Sequence, residues 1–217
     1  MKRKLKILVV DDHSLILQGY KAILNDQQEL EVEVHFGNNC QIAHRLITGR
    51  QNDFDICIFD WILPTFNEFE NGGDLVLLTK RHLPGAGTIV ITSHEEAFVL
   101  YNITKKVNPS ALLVKSDITP NDLLQAIKTI LNGNIFYSET VKQSIKHVNL
   151  RKGFLDNYNR QIISLLAKGI KTKNLPQHLP LSISAIDKRK VQIKDCFLIK
   201  GGNDEDIIRE ATKLGLI

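Results

Sequence analysis

The feature that most restricts the fold is a series of short apolar runs, each closed by a polar residue with chemistry to offer. Leu5–Val10 ends in Asp11-Asp12, residues 56–59 end in Asp60, residues 88–91 end in Thr92, and Ala111–Val114 ends in Lys115. Runs apolar along their length read as strands buried on both faces, which is the pattern of a parallel sheet. Residues 31–36 add a strand that alternates in period two. Between the runs, helical spacing recurs over 14–25, 40–46, around 75–78, over 95–106 and after Thr119-Pro120, with Gly133 as the stop. Five strands alternating with five helices predict an α/β fold with a doubly wound five-stranded parallel sheet. The site of such a sheet lies outside the C-terminal ends of its strands, where Asp11, Asp12, Asp60, Thr92 and Lys115 fall.

Charge divides the chain. Residues 1–144 carry 14 basic and 17 acidic side chains, a net of −3, and residues 145–217 carry 14 and 7, a net of +7. That asymmetry predicts two modules, the second suited to a polyanion. The boundaries expected are a first domain over 1–133, a linker over 134–152, and a smaller all-α domain over 153–217 with helices before Gly169, over 174–179, over 182–197 and over 204–214. No apolar run reaches 18 residues, so no membrane span is expected. The basic start at residues 1–6 lacks a secretory core and cleavage site. Cys40, Cys57 and Cys196 are odd in number and far apart, so a disulfide framework and a zinc cluster are not expected and a reducing cytoplasm is.

Carboxylates gathered at one rim repel unless one is protonated or a cation sits among them. Oxygen ligands alone favour Mg²⁺, which often bridges to a phosphate. A lysine and a hydroxyl at the same rim would serve further anionic oxygens, completing the parts for phosphoryl transfer to a carboxylate. Each residue alone is as well explained by a helix cap or a surface charge; the set of five is not.

Residues 5–133 resemble a response-regulator receiver domain of two-component signalling, a flavodoxin-like fold. The matching pieces are Leu8-Val9-Val10-Asp11-Asp12-His13, Phe59-Asp60-Trp61-Ile62-Leu63-Pro64, Ile91-Thr92-Ser93 and Leu113-Val114-Lys115. The stretch from Asp122 to Val141 further resembles the last receiver helix and exit strand of LuxR/NarL-type regulators, whose usual output is a helix-turn-helix DNA-binding domain. The resemblance implies that Asp60 is the phospho-acceptor, charged by a sensor histidine kinase. It implies that Asp12, Asp60 and the backbone carbonyl of Ile62 hold Mg²⁺, with Asp11 reaching it through water. Lys115 and Thr92 would contact the phosphoryl oxygens, and Thr92 would report them. Three departures stand out. Leu112 replaces an aromatic switch residue. Trp61 is large and would shield the site. The loop from Thr65 to Gly73 is longer than usual, and its Glu68 and Glu70 would either add repulsion near Asp60 or, as expected, stand as solvated loop charges.

Residues 155–217 resemble the LuxR-type output domain in outline: Ile162-Ile-Ser-Leu-Leu-Ala-Lys-Gly169, Thr172-Lys-Asn-Leu-Pro-Gln-His-Leu179, Ser182-Ile-Ser-Ala-Ile186 and Ala211-Thr-Lys-Leu-Gly-Leu-Ile217. Double-stranded DNA and a homodimer are the partners this implies. On a helical projection Ile183, Ile186, Ile193 and Phe197 share a core face, while Ser184, Ala185, Lys188, Val191 and Gln192 face away. Lys188 and Gln192 are the candidate base readers, and Lys171, Lys173, Arg189 and Lys194 the phosphate contacts. Lys190 falls near the apolar face and would snorkel. Asp187, Pro176, Pro180 and the missing Thr-x-x-Glu entry depart from the pattern, so a helical module that binds protein is the alternative. An enzyme is not expected. A haloacid-dehalogenase-type phosphatase needs a second Asp where Ile62 stands, Gly85-Ala-Gly87 precedes a strand rather than a helix, and no histidines pair at i, i+4.

Overall fold

The computed structural model describes residues 4–28, 30–49, 53–151, 155–197, 199 and 201–217, with side chains at all of these except 149–151. The basic residues at 1–3, Lys152 at the end of the expected linker and Lys200 lie outside the described residues. The chain divides into two units, Met1–Glu95 with Asn102–Lys142, and Glu96–Tyr101 with Gln143–Ile217.

Strands and helices alternate from residue 5 to residue 137: β1 (Leu5–Val10), α1 (Ser14–Asp26), β2 (Val32–Gly37), α2 (Cys40–Thr48), β3 (Ile56–Asp60), α3 (Gly72–His82), β4 (Gly87–Thr92), α4 (Ala97–Lys106), whose first half belongs to the second unit, β5 (Ala111–Val114), α5 (Pro120–Leu131) and β6 (Phe136–Tyr137). All strand pairs are parallel, in the order β2-β1-β3-β4-β5-β6. The five expected strands are present, and β6 corrects the count to six: Phe136 and Tyr137 extend the edge beside Ala111 and Leu112.

Burial follows from the strand composition. β3, β4 and β5 are buried at every residue, because both faces are covered. Ile7, Val9, Ile58, Ile89, Ile91 and Leu113 pack against α1 and α5. The helix starts are chemically set. Thr119 and Asp122 form a capping box on α5 with Pro120 in its first turn, and Asn71 and Asp74 form another on α3.

The expected linker over 134–152 is not a bare connector, since β6 and the whole of α6 (Glu139–Arg151) lie within it. The remaining elements are α7 (Asn157–Ala167), a 3₁₀ helix (Thr172–Gln177), α8 (Ile183–Cys196) and α9 (Asp204–Lys213). Ile162, Leu166, Leu175, Ile186, Ile193 and Ile207 form the centre of their core. Gly169 ends α7 at φ +80°, where a side chain would be strained. The segment expected as a helix over 174–179 is instead the 3₁₀ helix. Pro176 lies inside it, has no N–H to donate and would clash with a carbonyl one α-turn back. Ile186, Ile193 and Phe197 are core as expected, but Ile183 is 42% exposed, because it opens α8 beyond the core's edge. All three cysteines are buried and none is in a disulfide. Among the described residues no helix is long and apolar enough to cross a membrane.

Candidate functional site

The chemistry gathers at the C-terminal rim of the sheet, where β1 and β3 lie side by side and the strand order reverses. Asp11 and Asp12 follow β1 directly, and Asp60 is the last residue of β3. One ligand atom from each of Asp11, Asp12, His13 and Asp60 lies within 4.8 Å of the others. Lys115, just past β5, donates from Nζ to Asp60 Oδ2 at 2.8 Å and to Asp11 Oδ2 at 3.5 Å. The β1–α1 turn is held by the His13 amide donating to Asp11 Oδ1 at 2.8 Å. His13 Nδ1 also lies 2.9 Å from Asp12.

Asp60 and Asp11 are almost completely buried, at 4% and 1% exposure. At an effective dielectric near 20, unit charges no more than 4.8 Å apart repel by about 3.5 kcal/mol or more per pair. On the same scale Lys115 attracts Asp60 by about 6 and Asp11 by about 5 kcal/mol, at 2.8 and 3.5 Å. Attraction and repulsion therefore run close, and burial decides. Burial pushes the Asp60 carboxyl above its ordinary range, although the Lys115 ammonium pulls the other way. Burial also opposes the Lys115 charge, but its bonds to Asp60 and the charge of Asp11 outweigh that and hold it protonated to higher pH than usual. One lysine leaves this cup short of positive charge. The donor set is all oxygen apart from His13, which fits a hard divalent cation such as Mg²⁺.

Thr92 is fully buried at the end of β4, one position beyond the residue in register with Asp60, and its Oγ1 accepts the His94 amide at 3.0 Å. The Ile62 amide reaches back to Asp60 Oδ1 over a long 3.4 Å, and its side chain is exposed. Leu112 is fully buried in β5, so no side chain there swings to the surface.

Sequence reasoning missed how the segment after Asp60 is built. An added Cβ at Gly72 would lie 2.0 Å from the Asp60 carbonyl oxygen, and the Gly72 amide donates to the Trp61 carbonyl at 3.0 Å. Only glycine lets α3 start against the backbone of Asp60. The Trp61 ring lies against Gly73, so the first turn of α3 is what it covers. The signal was Gly72-Gly73 itself, which reads as loop when met in sequence. The long loop is an ordered turn in which Phe66 and Phe69 exchange two 2.9 Å backbone bonds around Asn67 (φ +50°), and Phe69 is buried against the His44 ring. Glu68 and Glu70 are exposed, as expected of solvated charges.

In the second unit the predicted polyanion contacts separate into two groups. Lys171, Lys173, Ser184, Lys188 and Gln192 are exposed. Arg189 instead turns inward, donating to Asp156 Oδ2 at 2.7 Å and Asn159 Oδ1 at 3.0 Å, with its guanidinium over the Tyr158 ring. Lys194 donates to the Gly202 carbonyl at 2.7 Å. Lys190 does not merely snorkel; it pairs with Asp204 at 2.6 Å and donates to Thr172 Oγ1 at 2.7 Å.

Comparison with known proteins agrees with this geometry. Residues 7–128 match the response regulator receiver domain family, a range that contains Asp11, Asp12, Asp60, Thr92 and Lys115. Transcriptional regulatory protein MctR of Rhizobium johnstonii is 23% identical over 193 residues, covering 88% of this chain and 86% of that protein. Transcriptional regulatory protein UhpA of Escherichia coli is 23% identical over 204 residues, covering 94% and 95%. Among solved structures, the RcsB response regulator of Salmonella typhimurium shares the fold with a TM-score of 0.75 at 21% identity, covering 96% of this chain and 100% of that one. A structure of an RcsB–DNA complex shares it with a TM-score of 0.69 at 21% identity, covering 98% and 100%. The chain thus belongs to the response regulator receiver domain family, in the LuxR/NarL-type arrangement of a receiver followed by a smaller helical unit.

Proposed function

We propose that this response regulator accepts a phosphoryl group on Asp60 from a sensor histidine kinase and controls transcription by binding DNA through its second unit. The observation that carries the first half is the buried Asp60 carboxylate with Lys115 at 2.8 Å. An Asp60 oxygen forms the new O–P bond while the P–N bond of the donor phosphohistidine breaks and its electron pair stays on the imidazole. Asp11, Asp12, Asp60 and the Ile62 backbone carbonyl would hold Mg²⁺, which supplies positive charge for the transferred oxygens. Lys115 then moves from the carboxylate to a phosphoryl oxygen, and the Thr92 hydroxyl serves another. The added charge and acceptor oxygens favour the state in which these two groups close on Asp60. Turnover as a phosphatase is not part of this reading, because Ile62 stands where a hydrolase of the dehalogenase type carries its second Asp.

Exposed Lys171, Lys173 and Lys188, with Ser184 and Gln192, support contact between the start of α8 and a DNA groove. The working form in this reading is a cytoplasmic homodimer whose two output units meet two half-sites. One observation favours a second reading. Arg189, Lys190 and Lys194 of α8 are spent on partners within their own unit, which suits a module that binds protein.

Labelling of the full chain with radioactive acetyl phosphate and Mg²⁺ tests the acceptor. Acid-labile label is expected to disappear in Asp60→Asn and to persist in Asp53→Asn; label that survives Asp60→Asn removes the assignment. The same variant reports the strain in the cup. Because the folded-state pKa of Asp60 is raised, the native chain holds that proton longer than the unfolded chain, and its ionisation opposes folding as pH rises above the carboxylate range. Asp60→Asn is therefore expected to melt higher than the wild type at pH 7 without Mg²⁺, with the gain vanishing below about pH 4. For the second half, the affinity of the full chain for duplex DNA is expected to fall with salt, with a log–log slope near −0.9 per phosphate contact, and Lys173→Ala to reduce that slope by about one contact. No shift of any duplex at low salt would favour the protein-binding reading.

A further inference from the structure

Three consecutive residues after β5 each reach a different part of the receiver. Lys115 holds Asp60 and Asp11. Ser116 Oγ donates to Glu95 Oε1 at 2.6 Å, in the segment that follows Thr92. Asp117 Oδ2 accepts the backbone N–H of Thr140 at 2.8 Å, across 23 positions of sequence. Thr140 is the second residue of α6, so Asp117 satisfies one of the orphan donors of that helix from a distance and places a carboxylate at its positive end. The same junction is pinned by Ser138, whose amide donates to the Leu112 carbonyl at 3.1 Å and whose Oγ accepts the Val114 amide at 3.3 Å. The entry to α6 is thus bonded to the end of β5 and to the loop that carries Lys115.

The other Asp117 oxygen, Oδ1, is shut off from solvent and has no hydrogen-bond partner among the described residues. A buried acceptor left unpaired is costly, and such a group calls for an explanation. Here it means that the Asp117 position is a compromise: one oxygen is well used, the other is not, and a displacement that frees the second oxygen recovers part of what the loss of the first bond costs. The event that would displace the loop lies two residues away. Resting on the reading that Asp60 takes the phosphoryl group, Lys115 must leave the carboxylate oxygen for one farther from β3. In the coupling this loop would provide, that shift weakens the grip of Asp117, two residues on, on Thr140.

We propose that Asp117 is a positioning residue that couples the Lys115 loop to the first turn of α6, so that phosphorylation of Asp60 loosens the entry to the helix leading into the second unit. The only link the coupling uses is the Asp117–Thr140 bond, and the receiver itself contains both partners.

Amide hydrogen exchange of the full chain tests this, with beryllium fluoride and Mg²⁺ as the phosphoryl mimic. In the wild type the mimic is expected to slow exchange in the turn at residues 11–13 and to speed it about fivefold or more at residues 140–143. In Asp117→Ala, exchange at 140–143 is expected to be fast already and to ignore the mimic, while the turn at 11–13 still responds and exchange in β1 is unchanged, showing an intact sheet. Asp117→Asn keeps an acceptor for the Thr140 N–H and is expected to retain the response. The coupling is overturned if Asp117→Ala shows the wild-type response at 140–143, or if the wild type responds at 11–13 and not at 140–143. Absence of any response at 11–13 in the wild type would instead sink the phospho-acceptor reading, and this proposal with it.

Discussion

The structure depends on one electrostatic compromise. Asp60 and Asp11 are buried within 4.8 Å of each other, with Asp12 beside them, and Lys115 pairs with Asp60 and Asp11 while Asp12 lies against His13. That arrangement is costly in a resting protein, because burial disfavours every charge in it. It exists because the strand order brings the ends of β1 and β3 together, while β5, two strands away, sends a long side chain across the rim. A cup of this kind has a standing need for cationic charge and, once a cation is in place, for anionic oxygens to share it. The fold keeps the cup assembled through a core of fully buried strands whose side chains have no alternative place to go.

Much of this was legible in the sequence because the apolar runs stop at the residues that matter. Strand ends are set by composition, so Asp11, Asp12, Asp60, Thr92 and Lys115 could be placed on one rim before any coordinates. What could not be read depends on contacts between distant segments. Phe136-Tyr137 is too short to announce a strand by its own pattern; the family resemblance implied an exit strand here, and its pairing with β5 adds it to the sheet. Gly72 looks like one more loop residue until the carbonyl of Asp60 is found where its side chain would be. The bond from Asp117 to Thr140 joins a loop to the first turn of a helix 23 residues on, which no periodicity relates.

The helical unit shows the same limit in its charges. A helical projection sorted the residues of α8 into core and surface well, apart from Ile183 at its open end. It could not tell which of the surface cations were already engaged. Arg189 and Lys190 find carboxylates supplied by α7's N-cap residue and by α9, so the net charge of this half overstates the cations left to meet a polyanion. Local pattern predicts the faces of a helix; the partners across the gap between helices decide how much of its charge remains available.

The most direct measurement of the central claim is a crystal structure of the full chain grown with Mg²⁺ and beryllium fluoride. The account predicts the fluoride adduct on an Asp60 oxygen, the metal among Asp11, Asp12, Asp60 and the Ile62 carbonyl, and Lys115 turned from the carboxylate to a fluorine. An adduct bound elsewhere, or a metal-filled cup with Asp60 unmodified at saturating beryllium fluoride, would contradict it.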